Sequence, residues 1–117
     1  MNDLAILAFD LGGTDLKVAR IGGNGSVHGF VKLPSNANQG ESALFAAITH
    51  AAGQVGNLAS PSIAGFGSPG VLHPESGAIV HKTPNLRLPA DFPMRTRLEQ
   101  VLGKRVVIDN DANCAAL

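Results

Sequence analysis

The sequence predicts an α/β domain built on a mixed sheet, which opens as an antiparallel meander and continues in parallel strands with flanking helices. Three observations carry this. The run Ala5-Ile6-Leu7-Ala8-Phe9 is continuously apolar with no helical period, as in a buried strand. Leu16 and Val18 then alternate with Asp15, Lys17 and Ala19, the period of a half-buried strand. Later strand-like runs are separated by segments of helical spacing, and a return through a helix favours a parallel strand.

Taken in order, the first run ends at Asp10 and turns through Gly12, Gly13 and Thr14 into the second strand. Gly22-Gly23-Asn24-Gly25 is a turn, and Val27 to Leu33 a third strand that completes the meander. Pro34 to Gly40 reads as a polar loop. From about Glu41, residues Leu44, Phe45, Ile48, Ala52 and Val55 mark an amphipathic helix whose end is signalled by Gly53 and Gly56. Ser62 to Gly67 is a fourth strand running into Ser68-Pro69-Gly70, and His73 to Gly77 is a turn before a short strand at Ala78–His81. After a stretch punctuated by Pro84 and Pro89, Pro93 opens a helix with Met94, Leu98, Val101 and Leu102 on one face and Gly103 just past its end. Arg105 to Asp109 is the fifth strand, and Ala112 to Leu117 begins a further helix. A helix of one or two turns is marginal by itself, so residues 1–117 are expected to be the N-terminal lobe of a longer, two-lobed protein.

Composition narrows the class. Apolar residues make up 44% of the 117 and charged residues 15%, as in a globular domain. Lys plus Arg number 9, equal to Asp plus Glu at 9, so no charge excess points to nucleic acid or an anionic membrane. Trp and Tyr are absent, which weakens any case for a base-stacking surface. The single cysteine, Cys114, permits neither an internal disulfide nor a Cys-rich zinc cluster and reads as a buried helix residue. Met1-Asn2-Asp3 lacks the basic region of a signal peptide, and no apolar run reaches membrane-spanning length, so a reducing, cytoplasmic setting is expected.

The chemistry concentrates where strands end. Gly12 and Gly13 can leave backbone N–H groups unobstructed, and N–H groups aligned in a tight turn form a concavity for phosphate. Asp10 beside such a turn makes sense if a divalent cation lies between carboxylate and phosphate, held directly or through water; an ordinary hairpin with a polar tip is the alternative. Gly67-Ser68-Pro69-Gly70 and Asn110-Asp111-Ala112-Asn113 follow two other strands, and ligands of open α/β sheets bind at strand ends. Asn110 can donate to and accept from a polyol. Asp111 can accept a hydroxyl proton or, at a strand-to-helix junction, cap the helix that follows. Asn85 and Asn113 read as loop-fixing amides, and Asp109 as structural or solvent-facing. His28, His50, His73 and His81 lack metal-ligand spacing, and Ser68 lacks the flanks of a nucleophile elbow.

Asp10-Leu11-Gly12-Gly13-Thr14, Gly65-Phe66-Gly67-Ser68-Pro69-Gly70, Thr83-Pro84-Asn85-Leu86 and Asp109-Asn110-Asp111-Ala112-Asn113, in that order, resemble the ROK family of repressors, open reading frames and sugar kinases. The resemblance covers essentially the whole chain. It implies the ribonuclease-H-like, actin-like ATPase fold and ATP-dependent phosphorylation of a hexose or N-acylhexosamine hydroxyl, with this fragment inactive by itself. By motif position, Asp10, Gly12, Gly13 and Thr14 would serve ATP and Mg, with Asp10 meeting the metal directly or through water. Gly67, Asn85, Asn110 and Asp111 would face the sugar, with Asp111 as catalytic base. The resemblance also implies a homodimer and, beyond Leu117, a nucleotide lobe with a structural zinc motif. The family often has Lys where this chain has Asp15, which puts an extra negative charge near the turn. The rival within the same fold is a sugar-responsive transcriptional repressor without kinase activity. Such proteins carry a helix-turn-helix before the first strand, and no basic recognition helix precedes Ala5 here. An ATPase of the actin or Hsp70 type shares the glycine turn but not the Asn110-Asp111 pair.

Overall fold

The computed structural model describes residues 6–12, 14–55, 63–68, 71–72, 75–81, 88–89 and 91–110. The apolar run forms strand β1 (Ile6–Leu11), and the alternating stretch forms β2 (Asp15–Ile21), which pairs antiparallel with it. The turn at 22–26 is closed by Gly22 N–H donating to the Ser26 carbonyl at 2.8 Å, and leads into β3 (Val27–Pro34). Leu7, Phe9, Leu11, Leu16 and Val18 are buried on one face of this meander, while Ile6 is 43% exposed and Phe30 61% exposed on the other. The first strand, expected to be buried on both faces, is therefore buried on one among the described residues.

That asymmetry comes from the helices. Helix α1 (Glu41–Gln54) buries Leu44, Phe45, Ala47, Ile48, Ala51 and Ala52, runs through Gly53, and leads to strand β4 (Ile63–Ser68), parallel to β1. A two-stranded hairpin follows, β5 (Val71–Leu72) with β6 (Ile79–His81), and then α2 (Met94–Leu102) and β7 (Arg105–Asn110), parallel to β4. The sheet order is β3-β2-β1-β4-β7. Both helices pack into one core with Phe9, Phe66 and Val106, on the same face of the sheet. Phe9 and Phe66 stack across the parallel pair with ring centroids 5.5 Å apart. Strand β5 was not expected; two residues are too few to show a period.

Helix α2 differs from expectation in its face. Met94, Leu98 and Leu102 are buried, but Val101 is 37% exposed, because the helix meets the sheet along the narrow stripe that residues four apart define. Pro93 sits at the N-cap, and Gly103, with φ 66°, donates its N–H to the Glu99 carbonyl at 2.9 Å as a left-handed C-cap. The Glu99 side chain reaches forward to accept the Val106 N–H at 3.1 Å. Arg97 ties the two helices together: Nη1 lies 2.7 Å from Glu41 Oε2, and its guanidinium carbon lies 5.7 Å from the Phe45 ring centroid. The expected polar loop after β3 contains a short 3-10 turn at Ala37–Gln39 and a fully buried Ser35, whose Oγ accepts the Ala37 N–H. No helix among the described residues is long and apolar enough to cross a membrane.

The narrow face of α2 is open to test. Leu98→Ala should lower the unfolding free energy by about 2–5 kcal/mol. Val101→Ala should change it by no more than about 0.5 kcal/mol, both read by urea denaturation. Equal losses at the two positions would contradict the stripe.

Candidate functional site

The pairing registers bring the strand ends together. Asp10 on β1 lies opposite Gly67 on β4, and Gly67 opposite Asp109 on β7. In the other direction Asp10 lies opposite Lys17, and Lys17 opposite Lys32. Lys32, Lys17, Asp10, Gly67 and Asp109 thus form one row across all five strands, and the next level along pairs Ser68 with Asn110. With strands spaced about 4.8 Å, the backbones of Asp10 and Asp109 stand about 10 Å apart, with Gly67 between them. The two carboxylates and both lysines are exposed, whereas Gly67 is buried. The chemistry is polar and of mixed sign: carboxylates for a hydroxyl or a hydrated cation, ammonium groups for an anion.

The glycine turn is built differently from expectation in one respect. Gly12 N–H donates to the Asp15 carbonyl at 2.8 Å, so it closes the turn rather than standing free, and Gly12 is not among the residues of positive φ. A Cβ at Gly12 would lie 3.3 Å from that carbonyl oxygen, so close approach is what the glycine provides. Thr14 is exposed, and its carbonyl accepts the N–H of buried Ser35 at 2.9 Å, which braces the turn from the loop after β3. Asp15 points its Oδ2 toward Lys32 Nζ at 3.6 Å, so the extra negative charge beside the turn has a positive neighbour.

Among the described residues no group of three or more His, Cys, Asp and Glu is arranged to hold a metal. While the carboxylate of Asp15 is directed at Lys32, Asp10 offers an exposed carboxylate at the mouth of the turn. That fits Mg²⁺, which takes one or two protein carboxylates and fills its octahedron with water and phosphate oxygens. Of the expected site residues, Asp10, Gly12, Thr14 and Gly67 are gathered at the strand ends, as is the backbone of Asn110. Gly13, Asn85 and Asp111 lie outside the described residues, as do Pro69, Gly70, Cys114 and the helix expected from Ala112. Lys17 and Lys32 were not singled out from sequence. The signal was there in the hairpin: a tight turn at 12–14 forces Lys17 opposite Asp10.

The family model of the ROK family matches residues 6–117. A glucokinase of Halalkalibacterium halodurans is 32% identical over 122 residues, covering 100% of this chain and 36% of its own length. An N-acetylmannosamine kinase of Shigella flexneri is 33% identical, covering 97% of this chain and 38% of its own. Among solved structures, a ROK family glucokinase from Streptomyces griseus in complex with glucose and AMPPNP superposes with a TM-score of 0.82 at 24% identity, over 96% of this chain and 35% of that one. The ROK hexokinase of Thermus thermophilus gives a TM-score of 0.79 at 29% identity, over 96% of this chain and 37% of that one. The chain therefore spans little more than a third of the length of these relatives. Its mixed five-stranded sheet with helices is that of ROK sugar kinase N-terminal lobes, the actin-like ATPase fold.

The Asp15–Lys32 pair is half exposed, with side chains 46% and 56% accessible, and pairs of that kind contribute about 0–1 kcal/mol. Asp15→Asn should accordingly leave the urea midpoint nearly unchanged. A large drop would mean that the carboxylate holds the turn together.

Proposed function

The chain belongs to the ROK family, and from that premise we propose that the whole protein transfers the terminal phosphate of ATP to a hydroxyl of a hexose or N-acylhexosamine. The observation that carries the proposal is the shared row of Asp10, Gly67 and Asp109 with Asn110 one step beyond. It brings a cation-competent carboxylate, a side-chain-free floor and a polar strand exit to one end of three parallel strands. Its named relatives being glucokinases and N-acetylmannosamine kinases supports the substrate class.

In this reading Gly13 and Thr14 cradle the phosphates over a turn that Gly12 closes on Asp15, and Asp10 would hold Mg²⁺ directly or through water. Bound there, the cation would neutralise charge on the phosphate oxygens. Gly67, Asn85 and Asn110 orient the sugar, with Gly67 leaving room for a ring close to the backbone. Asp111 accepts the proton of the hydroxyl as its oxygen bonds to phosphorus and ADP departs. A sugar hydroxyl is a poor acid, so holding it in line is the larger part of catalysis, and the proton moves as the new bond forms. Lys17, opposite Asp10, adds positive charge on the side where phosphate oxygens would lie.

Two substitutions in the intact protein test these roles by coupled ADP release. Asp111→Asn should lower kcat on the order of 10²–10⁴-fold with sugar binding retained, as expected on loss of a general base. An N-cap keeps its acceptor in Asn and would change little, so near-normal turnover would reduce Asp111 to a cap. Asp10→Asn should raise the Mg²⁺ concentration needed for half-maximal rate and leave sugar affinity alone. Collapse of sugar affinity with an unchanged Mg²⁺ requirement would remove Asp10 from the cation.

A further inference from the structure

The turn read at His73–Gly77 is not used by the proposed chemistry, yet its last residue is closely enclosed by two other elements. Gly77 is buried, has φ +71°, and lies where the turn of the β5–β6 hairpin meets both α2 and β7. A Cβ there would stand 2.6 Å from Arg95 Cβ and 2.9 Å from Ile108 Cγ2, distances that real side chains do not adopt. Neither obstacle is the free end of a flexible chain: one is the root of an α2 side chain, the other a branch methyl on β7.

The contact is reinforced from both sides. Arg95 N–H donates to the Gly77 carbonyl at 3.3 Å, and Arg95 Nη2 donates to the Glu75 carbonyl at 2.9 Å, two residues back. Ile79 N–H donates to the Phe92 carbonyl at 3.0 Å, which ties β6 to the segment entering α2. The hairpin is also the direct continuation of β4, whose Ser68 pairs with Asn110. Ser68 and Gly77 thus each meet β7, at Asn110 and at Ile108, two residues apart on the same strand.

We propose that Gly77 is a positioning residue: its missing side chain sets how closely the hairpin leaving β4 seats on β7, and so the alignment of the Gly67–Ser68 strand end with Asp109–Asn110. This rests on the sugar-kinase reading for its effect on substrate, but the seating itself does not. Any side chain at position 77 pushes the turn off Ile108 and Arg95 and shifts one wall of the sugar site against the other. The phosphate turn at Gly12–Thr14, on the far side of β1, is left in place.

Asn and Ala separate this from a demand on backbone angle alone. Asn tolerates the left-handed region better than Ala does, but carries the same Cβ. In the intact protein both Gly77→Asn and Gly77→Ala should raise the sugar KM on the order of 10-fold or more while the ATP KM stays within about twofold, since misplacements near 1 Å are costly. Gly103→Asn, at φ +66° with nothing within 4 Å of its Cβ position, is the control and should leave both KM values unchanged. If Gly77→Ala does not fold, Arg95→Ala, which removes the tie to Glu75, should raise the same sugar KM by a smaller factor. Amide hydrogen exchange at residues 107–110 should accelerate in the Gly77 variants but not in Gly103→Asn. A normal sugar KM in Gly77→Asn, or unchanged exchange on β7, overturns the proposal. Absence of ADP release from the unmutated protein with every sugar would sink the kinase reading, and the exchange result then decides the seating alone.

Discussion

The parallel ladder joining β1, β4 and β7 is the constraint on which the rest depends. Side chains alternate along a strand, so a slip of one residue in either pairing would send the core residues to the open face and the open-face residues inward. The ladder cannot slip, because its inner face is locked by Phe9 on Phe66 and by Leu7, Ala64 and Val106, all buried. The row containing Asp10, Gly67 and Asp109 lies one residue out of phase with the aromatic pair. Packing on one face therefore fixes polar geometry on the other.

The helices obey the same constraint. Both helical crossovers, β3 to β4 through α1 and β4 to β7 through α2, step in one direction across the sheet. Right-handed connections then place α1 and α2 on a single face. Packed side by side, they share the Arg97 contacts with Glu41 and Phe45, and Glu99 of α2 satisfies a backbone N–H of β7. The opposite face keeps small residues along its central strands, Ala19, Ala8 and Gly65, between Phe30 and Val107 on the outer strands. The polar row lies along this face, at its strand-end margin.

The turn between β1 and β2 shows how little of a turn's geometry is carried by a glycine pattern alone. Gly12 uses its N–H to close the turn on Asp15, and the brace on Thr14 comes from Ser35, twenty-one positions along the chain. The charge that answers Asp15 comes from Lys32 on the third strand. A departure that looks electrostatically adverse along the chain is offset by a neighbour that only the meander supplies.

Much of this architecture was legible in the residues. The two-residue period around Leu16 and Val18, the helical spacing of Leu44, Phe45, Ile48 and Ala52, and the glycine after Leu102 are local signals. The structure keeps them because local preference and global packing agree. The described parts of the motifs, Asp10–Gly12, Gly65–Ser68 and Asp109–Asn110, were legible in the same way, as short patterns at strand ends. What the chain could not state was relation across space. That Val101 turns from the core depends on which stripe of α2 meets the sheet. That Ile6 is exposed depends on both helices taking one side. That Lys17 and Lys32 share a row with Asp10 depends on register, and that Gly77 must lack a side chain depends on Arg95 and Ile108 meeting it from two different elements. A sequence records the period and chemistry of each segment. Distances between segments are set by packing, and packing exists only once the segments have met.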